Sequence, residues 1–123
     1  MSKILSALSI TALLTAGAAF AASPLASSFT LTKVAPRIFS PEEPDPAVNR
    51  ARFYFANPDA GEVTIRIFSL SGTLVRRNLD SESAGVMFWN GKDQGGARVK
   101  GGIYIYQLEA AEDVLTGTVV VAK

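Results

Sequence analysis

From residue 51 to residue 121 the chain is a succession of short segments in which apolar and polar residues alternate, each ended by a cluster of turn formers. A side-chain period of two belongs to extended backbone, so the pattern calls for strands and offers no amphipathic helix. The clearest case is Glu62-Val63-Thr64-Ile65-Arg66-Ile67-Phe68, with Val63, Ile65 and Ile67 turned to one face and polar partners to the other. Before it, Ala51, Phe53 and Phe55 share a face in a segment that stops at Asn57-Pro58-Asp59-Ala60-Gly61. Ser71-Gly72 joins residues 62–68 to residues 73–77 as a hairpin.

Residues 78–83 read as a polar loop, and residues 85–89 as a short strand running into Asn90-Gly91-Lys92-Asp93-Gln94-Gly95-Gly96. That stretch needs positive φ at several places and is too polar for a core. Residues 103–109 are apolar on both faces, as in a mid-sheet strand with one aromatic-rich side. After a turn at 110–113, residues 114–121 form a last strand with Gly117 as a candidate bulge. Upstream, residues 29–34 alternate weakly, and Pro36, Pro41, Pro44 and Pro46 make the following stretch a loop or edge segment. Short strands spaced about ten residues apart predict an all-β, antiparallel β-sandwich of about seven strands in preference to a small barrel.

The N-terminus reads as an export signal. Lys3 precedes an uncharged apolar run over residues 4–18, and Ala19-Phe20-Ala21 supplies a small-x-small cleavage pattern. Cleavage after Ala21 leaves residues 22–35 as a flexible lead or first edge strand, and residues 36–123 as one domain. A retained anchor is the rival reading, but Ser23 and Pro24 follow the run where a basic stop-transfer cluster belongs. The mature chain then has no membrane span, and its destination is the periplasm, the cell surface or the exterior. Loss of Lys3 reduces the 12 basic residues to 11, against 11 acidic ones, so nucleic acid is not an expected partner. The chain contains neither cysteine nor histidine, which removes disulfides, thiol nucleophiles, histidine-based catalysis and nearly all transition-metal sites from its inventory.

Several side chains carry alternative readings. Trp89 is either a ligand-stacking platform or core filler, and the core reading is preferred because large aromatics dominate burial in small domains. Tyr104 and Tyr106 share a strand face and either form a binding stripe or pack inward with their hydroxyls on backbone or water. Arg76, Arg77, Arg98 and Lys100 form a basic patch or, as preferred, a solvated surface that discourages edge pairing. Glu42, Glu43 and Asp45 would need to face one another across a substrate cleft to act as catalytic carboxylates, for which a sandwich of about a hundred residues has little room, and Asp93 is expected to cap its own turn. Residues 119–121 are either an edge open to another chain or, as preferred, the last internal strand.

An ordered set of segments resembles the FlgD-type immunoglobulin-like domain, which is also similar to the C-terminal sorting modules of type IX secretion. The set is Phe39-Ser40-Pro41, the run from Gly61 through Gly72 to Arg76, Trp89-Asn90-Gly91-Lys92-Asp93-Gln94-Gly95-Gly96, and Gly101-Gly102-Ile103-Tyr104-Ile105-Tyr106. The resemblance covers residues 36–123 and implies an immunoglobulin-like sandwich in which Gly72, Trp89, Asn90, Gly91, Asp93, Gly96, Gly102, Tyr104 and Tyr106 have structural roles. Asn90 stands where the family usually has Asp, which keeps turn capping but loses a charge. The calcium loop of some members does not carry over, since Pro41-Glu42-Glu43-Pro44-Asp45-Pro46 is stiffened by proline and lacks glycine.

The export signal, the missing catalytic inventory and the resemblance together lead to the expectation of an exported module without enzymatic activity, cofactor or metal, acting by protein–protein contact in the cell envelope or an extracellular assembly. The alternatives are a type IX sorting or attachment module, and a carbohydrate- or peptide-binding domain using surface aromatics.

Overall fold

Nine strands alternate along the computed structural model, which describes residues 29–57 and 61–123. The expected signal peptide and residues 58–60 of the predicted turn lie outside the described residues. The strands are β1 (Thr30–Ala35), β2 (Ile38–Phe39), β3 (Ala51–Ala56), β4 (Val63–Ser69), β5 (Leu74–Arg76), β6 (Asp80–Ser83), β7 (Val86–Trp89), β8 (Gly102–Ala110) and β9 (Asp113–Val121). Among the described residues there is no helix. Two sheets form, one of five strands in the order β2-β9-β8-β4-β5 and one of four in the order β1-β3-β7-β6.

The alternation seen in the sequence decides which side of each strand faces the interior. Ile65 and Ile67 of β4, Tyr104, Tyr106, Leu108 and Ala110 of β8, and Val119 and Val121 of β9 are buried from the five-stranded side. Val34 of β1, Ala51 and Phe53 of β3, and Met87 and Trp89 of β7 meet them from the other. Edge-to-face aromatic pairs cross the gap, Phe53 with Tyr106 at 5.0 Å and Trp89 with both Phe39 and Tyr104 at 5.6 and 5.3 Å. Each such pair is worth about 0.5–1.5 kcal/mol beyond its burial.

The all-β sandwich agrees with the sequence reading, and several details differ from it. Nine strands lie among the described residues where about seven were expected, the additional two being β2, of two residues, and β6, whose four residues are all exposed; neither carries a readable period. The architecture is mixed, since β2 pairs in parallel with the end of β9, Val120 opposite Ile38 and Val121 opposite Phe39. β2 arises in the proline-rich stretch read as loop or edge, where the chain crosses from one sheet to the other over residues 36–37. Residues 30–35 form an edge strand that contributes Val34 to the core, so the sheet begins upstream of residue 36.

Residues 78–83, read as a loop, contain β6. Its four residues are all exposed and have no hydrophobic alternation to betray them. Side-chain bonds hold this edge: Arg52 grips both carboxylate oxygens of Glu82 at 2.6 and 3.2 Å, and Arg76 reaches both oxygens of Asp80 at 3.3 Å. The hydrogen bond from Arg52 holds the Glu82 carboxyl below its ordinary pKa and raises that of the guanidinium. Leu79, just before the strand, is buried and anchors it from below.

No bulge occurs at Gly117. The register between β8 and β9 runs unbroken from Asp113–Ala110 to Val121–Gly102 and sets Gly117 opposite Tyr106. The Tyr106 ring lies over Gly117 and occupies the space where a β-carbon would stand. Glycine is therefore required for close approach, not for a kink. Gly117→Val forces the ring off its site and is expected to cost about 1–3 kcal/mol in denaturant unfolding; an unchanged midpoint would contradict this packing.

Candidate functional site

The predicted motif residues gather mainly at one end of the sandwich, and they are built into it. Trp89, the last residue of β7, is fully buried, and its indole N–H donates to the Lys92 carbonyl at 2.9 Å. That bond folds residues 90–98 back over the strand end. Asn90 accepts from the Lys92 N–H at 3.2 Å, and Asp93 accepts from the N–H groups of Gly95 and Ala97 at 3.0 and 2.9 Å, capping its own turn. Gly91 is buried with φ of 80°, and a β-carbon there would stand 2.7 Å from the Pro41 ring. A side chain is excluded both by the left-handed backbone and by that neighbour. The loop is tied to β5 by Gln94, whose N–H donates to Val75 and whose side-chain oxygen accepts from Arg77.

Tyr104 and Tyr106 are buried at 8% and 3% exposure. The Tyr104 hydroxyl donates to the Lys100 carbonyl at 2.6 Å, and burial raises its pKa. Trp89 is fully enclosed and Tyr106 nearly so, while Tyr104 reaches the wall of a groove beside β5. Gly72 lies at the exposed tip of the β4–β5 hairpin, Gly96 in the loop over Trp89, and Gly102 at the start of β8, apart from one another.

The charged candidates disperse. Arg76 is engaged by Asp80, while Arg98 and Lys123 both approach Glu42 at 3.9 and 3.7 Å. Asp45 accepts from the Ala47 N–H within its own loop. Among the described residues no group of three or more acids is placed to hold a metal ion, and no helix is long and apolar enough to cross a membrane. One groove of about 410 Å³ is bordered by Glu62, Glu109 and Asp113, with Glu109 tied to Arg66. A second, of about 390 Å³, runs beside β5 between Leu74, Val99 and Gln94. The last strand is internal at its C-terminal end, where Val119 and Val121 are buried and β2 covers the outer side.

A surface that the sequence reading did not single out lies on the outside of the five-stranded sheet. Ile38, Val120 and Ile103 are direct neighbours across β2, β9 and β8. One row along, Ile105, Phe68 and Leu74 are direct neighbours across β8, β4 and β5. Together the two rows run from one edge of the sheet to the other. Ile38 is 64% exposed, Ile103 47% and Leu74 42%, with Leu70 at the adjoining strand end also 64% exposed. Among the described residues the one ion pair on this face, Arg66 with Glu109, sits toward its other end. The outer face of the four-stranded sheet is covered differently, since Lys33 lies over the Tyr54 ring at 4.8 Å and Arg50 over Phe88 at 4.9 Å. Clustered exposed aliphatics on one face, with cation-covered aromatics on the other, mark the former as the surface suited to contact.

These features define the class: a small all-β protein of two packed sheets, one of which carries an apolar outer face. No family model, curated protein or solved structure matches the chain.

Removing the Tyr104 hydroxyl tests how the loop is held to the strand. Tyr104→Phe keeps the ring and loses the bond to Lys100, at an expected cost of about 1 kcal/mol. That corresponds to a fall in Tm of about 4–8 °C for a domain of this size, measurable by calorimetry.

Proposed function

We propose that this chain is an exported, non-catalytic immunoglobulin-like module of the FlgD type that acts by protein–protein contact in the cell envelope or an extracellular assembly. The observation that carries the contact reading is the apolar outer face of the five-stranded sheet. Aliphatic side chains in two cross-strand rows offer a partner dehydration energy and shape, and no reactive group.

The immunoglobulin-like assignment is supported by strand order. Lettering the strands A, A′, B, C, C′, D, E, F and G in sequence turns the two sheets into A-B-E-D and A′-G-F-C-C′, the arrangement of that fold with its first strand split between the sheets. The hydroxyl of Tyr104, near the start of the F-equivalent strand, bonds to backbone four residues upstream as the tyrosine corner of such domains does. The FlgD-type resemblance gains support from the way Phe39, Trp89, Gly91 and Tyr104 of its motifs meet at one end. Export rests on the sequence of residues 1–21, and the absence of reaction chemistry on the lack of histidine and cysteine.

Cell fractionation with N-terminal sequencing, and photo-cross-linking from position 103 in living cells, test the reading together. The expected result is a protein beginning at Ala22 outside the cytoplasm, with cross-links from position 103. Uncleaved protein confined to the cytoplasm would overturn export, and an absence of cross-links would overturn contact through this face.

A further inference from the structure

We infer that Asn90 is a site of spontaneous covalent modification, at which the loop over Trp89 converts a carboxamide of its own into a carboxylate. The inference is independent of the contact reading.

Deamidation of this kind needs a carboxamide folded toward the next backbone nitrogen, a nitrogen free to attack, and a donor on the amide oxygen, where negative charge gathers as the new bond forms. Asn90 meets these needs. Its Oδ1 accepts from the Lys92 N–H at 3.2 Å, which folds the carboxamide back along the chain past Gly91. The same N–H is the donor on the oxygen, in the manner of an oxyanion hole. Gly91 carries no side chain to shield its nitrogen, and among the described residues its N–H donates to no other group. Asn90 itself is half-buried, so water and hydroxide reach it.

The other asparagines are arranged differently. Asn57 precedes Pro58, whose nitrogen has no proton to lose. At Asn78 the Leu79 N–H is bonded to the Asn78 Oδ1 at 3.0 Å, which aims the nitrogen at the oxygen and not at the carbon. Asn49 precedes Arg50, and its carboxamide is held at both ends, Nδ2 donating to the Glu43 carbonyl and Oδ1 accepting from Arg50.

The Gly91 nitrogen, having given its proton to hydroxide, bonds to Cγ of Asn90; the bond from Cγ to Nδ2 breaks, and the nitrogen takes a proton from water and leaves as ammonia. Water then opens the resulting five-membered imide at either carbonyl. One opening gives aspartate, which still offers Lys92 an oxygen, now through a charge-assisted bond. The other gives an isoaspartyl link, in which the main chain runs through Cβ and is one atom longer. Gly91 has no slack for that atom, since Pro41 lies against it and its carbonyl accepts from the Val99 N–H at 2.9 Å. The isoaspartyl form therefore loosens the cover over Trp89.

The test is to hold the folded protein at neutral and mildly alkaline pH and map its peptides by mass spectrometry, with Asn90→Asp as the product standard and enzymatic methylation to count isoaspartate. The expected result is replacement of NH2 by OH at Asn90, on the order of tenfold faster than at Asn49 or Asn78, faster at the higher pH, and accompanied by isoaspartate. In the separated isoaspartyl fraction Trp89 is expected to become accessible to iodide. An Asn90 that stays intact while the protein is folded and reacts only after unfolding in urea, or a faster reaction at Asn49 or Asn78, would overturn the inference. An isoaspartyl fraction with Trp89 as protected as in the parent would overturn the loosening of the loop.

Discussion

The fold depends on one insertion. Trp89 reaches from the end of β7 into the opposite sheet and stands edge-to-face between Phe39 and Tyr104. A domain of this size has room for one core and no disulfide to reinforce it, so the largest side chain is where the two layers are registered against each other. Its indole N–H must also find a partner, and the Lys92 carbonyl supplies it. That bond turns the chain back over the strand end. Asp93 and Gly91 then shape the loop, which docks onto β5 and Pro41.

The same arrangement governs what the surface can do. Trp89, Tyr104 and Tyr106 are drawn inside, and at one end of the five-stranded sheet the outward positions are filled by Ile38, Ile103, Ile105, Val120, Leu74 and Phe68. On the four-stranded sheet, aromatic side chains do reach the outside, and there cations cover them. The two faces thus differ, one with cations over its aromatics and one with an apolar end, and this asymmetry is the basis for proposing contact through the latter.

Much of the fold was legible because burial on one side imposes a period of two. Val63, Ile65 and Ile67, and the pair Ala51 and Phe53, lie where the alternation puts them, and Asp93 caps its own turn as its neighbours suggested. Strands held by other means left no such trace. β6 is polar throughout and is kept in place by Arg52, 30 residues from its partner Glu82, and by Arg76 just upstream, while β2 is too short for any pattern. Gly117 looked like a bulge because a glycine within a strand is ambiguous, and only the position of Tyr106 explains it. The apolar face was half legible, since residues 103–109 were seen to be apolar on both sides. Attributing that to a mid-sheet position hid its meaning, because the second apolar side faces outward with nothing over it among the described residues.

The most direct test of this account is the fluorescence of Trp89, the only tryptophan in the chain. If the indole is locked between the sheets, native emission is strongly blue-shifted, iodide does not quench it, and both properties vanish in one transition together with the β-sheet signal. Native emission at the wavelength of free tryptophan, quenched freely by iodide, would contradict it.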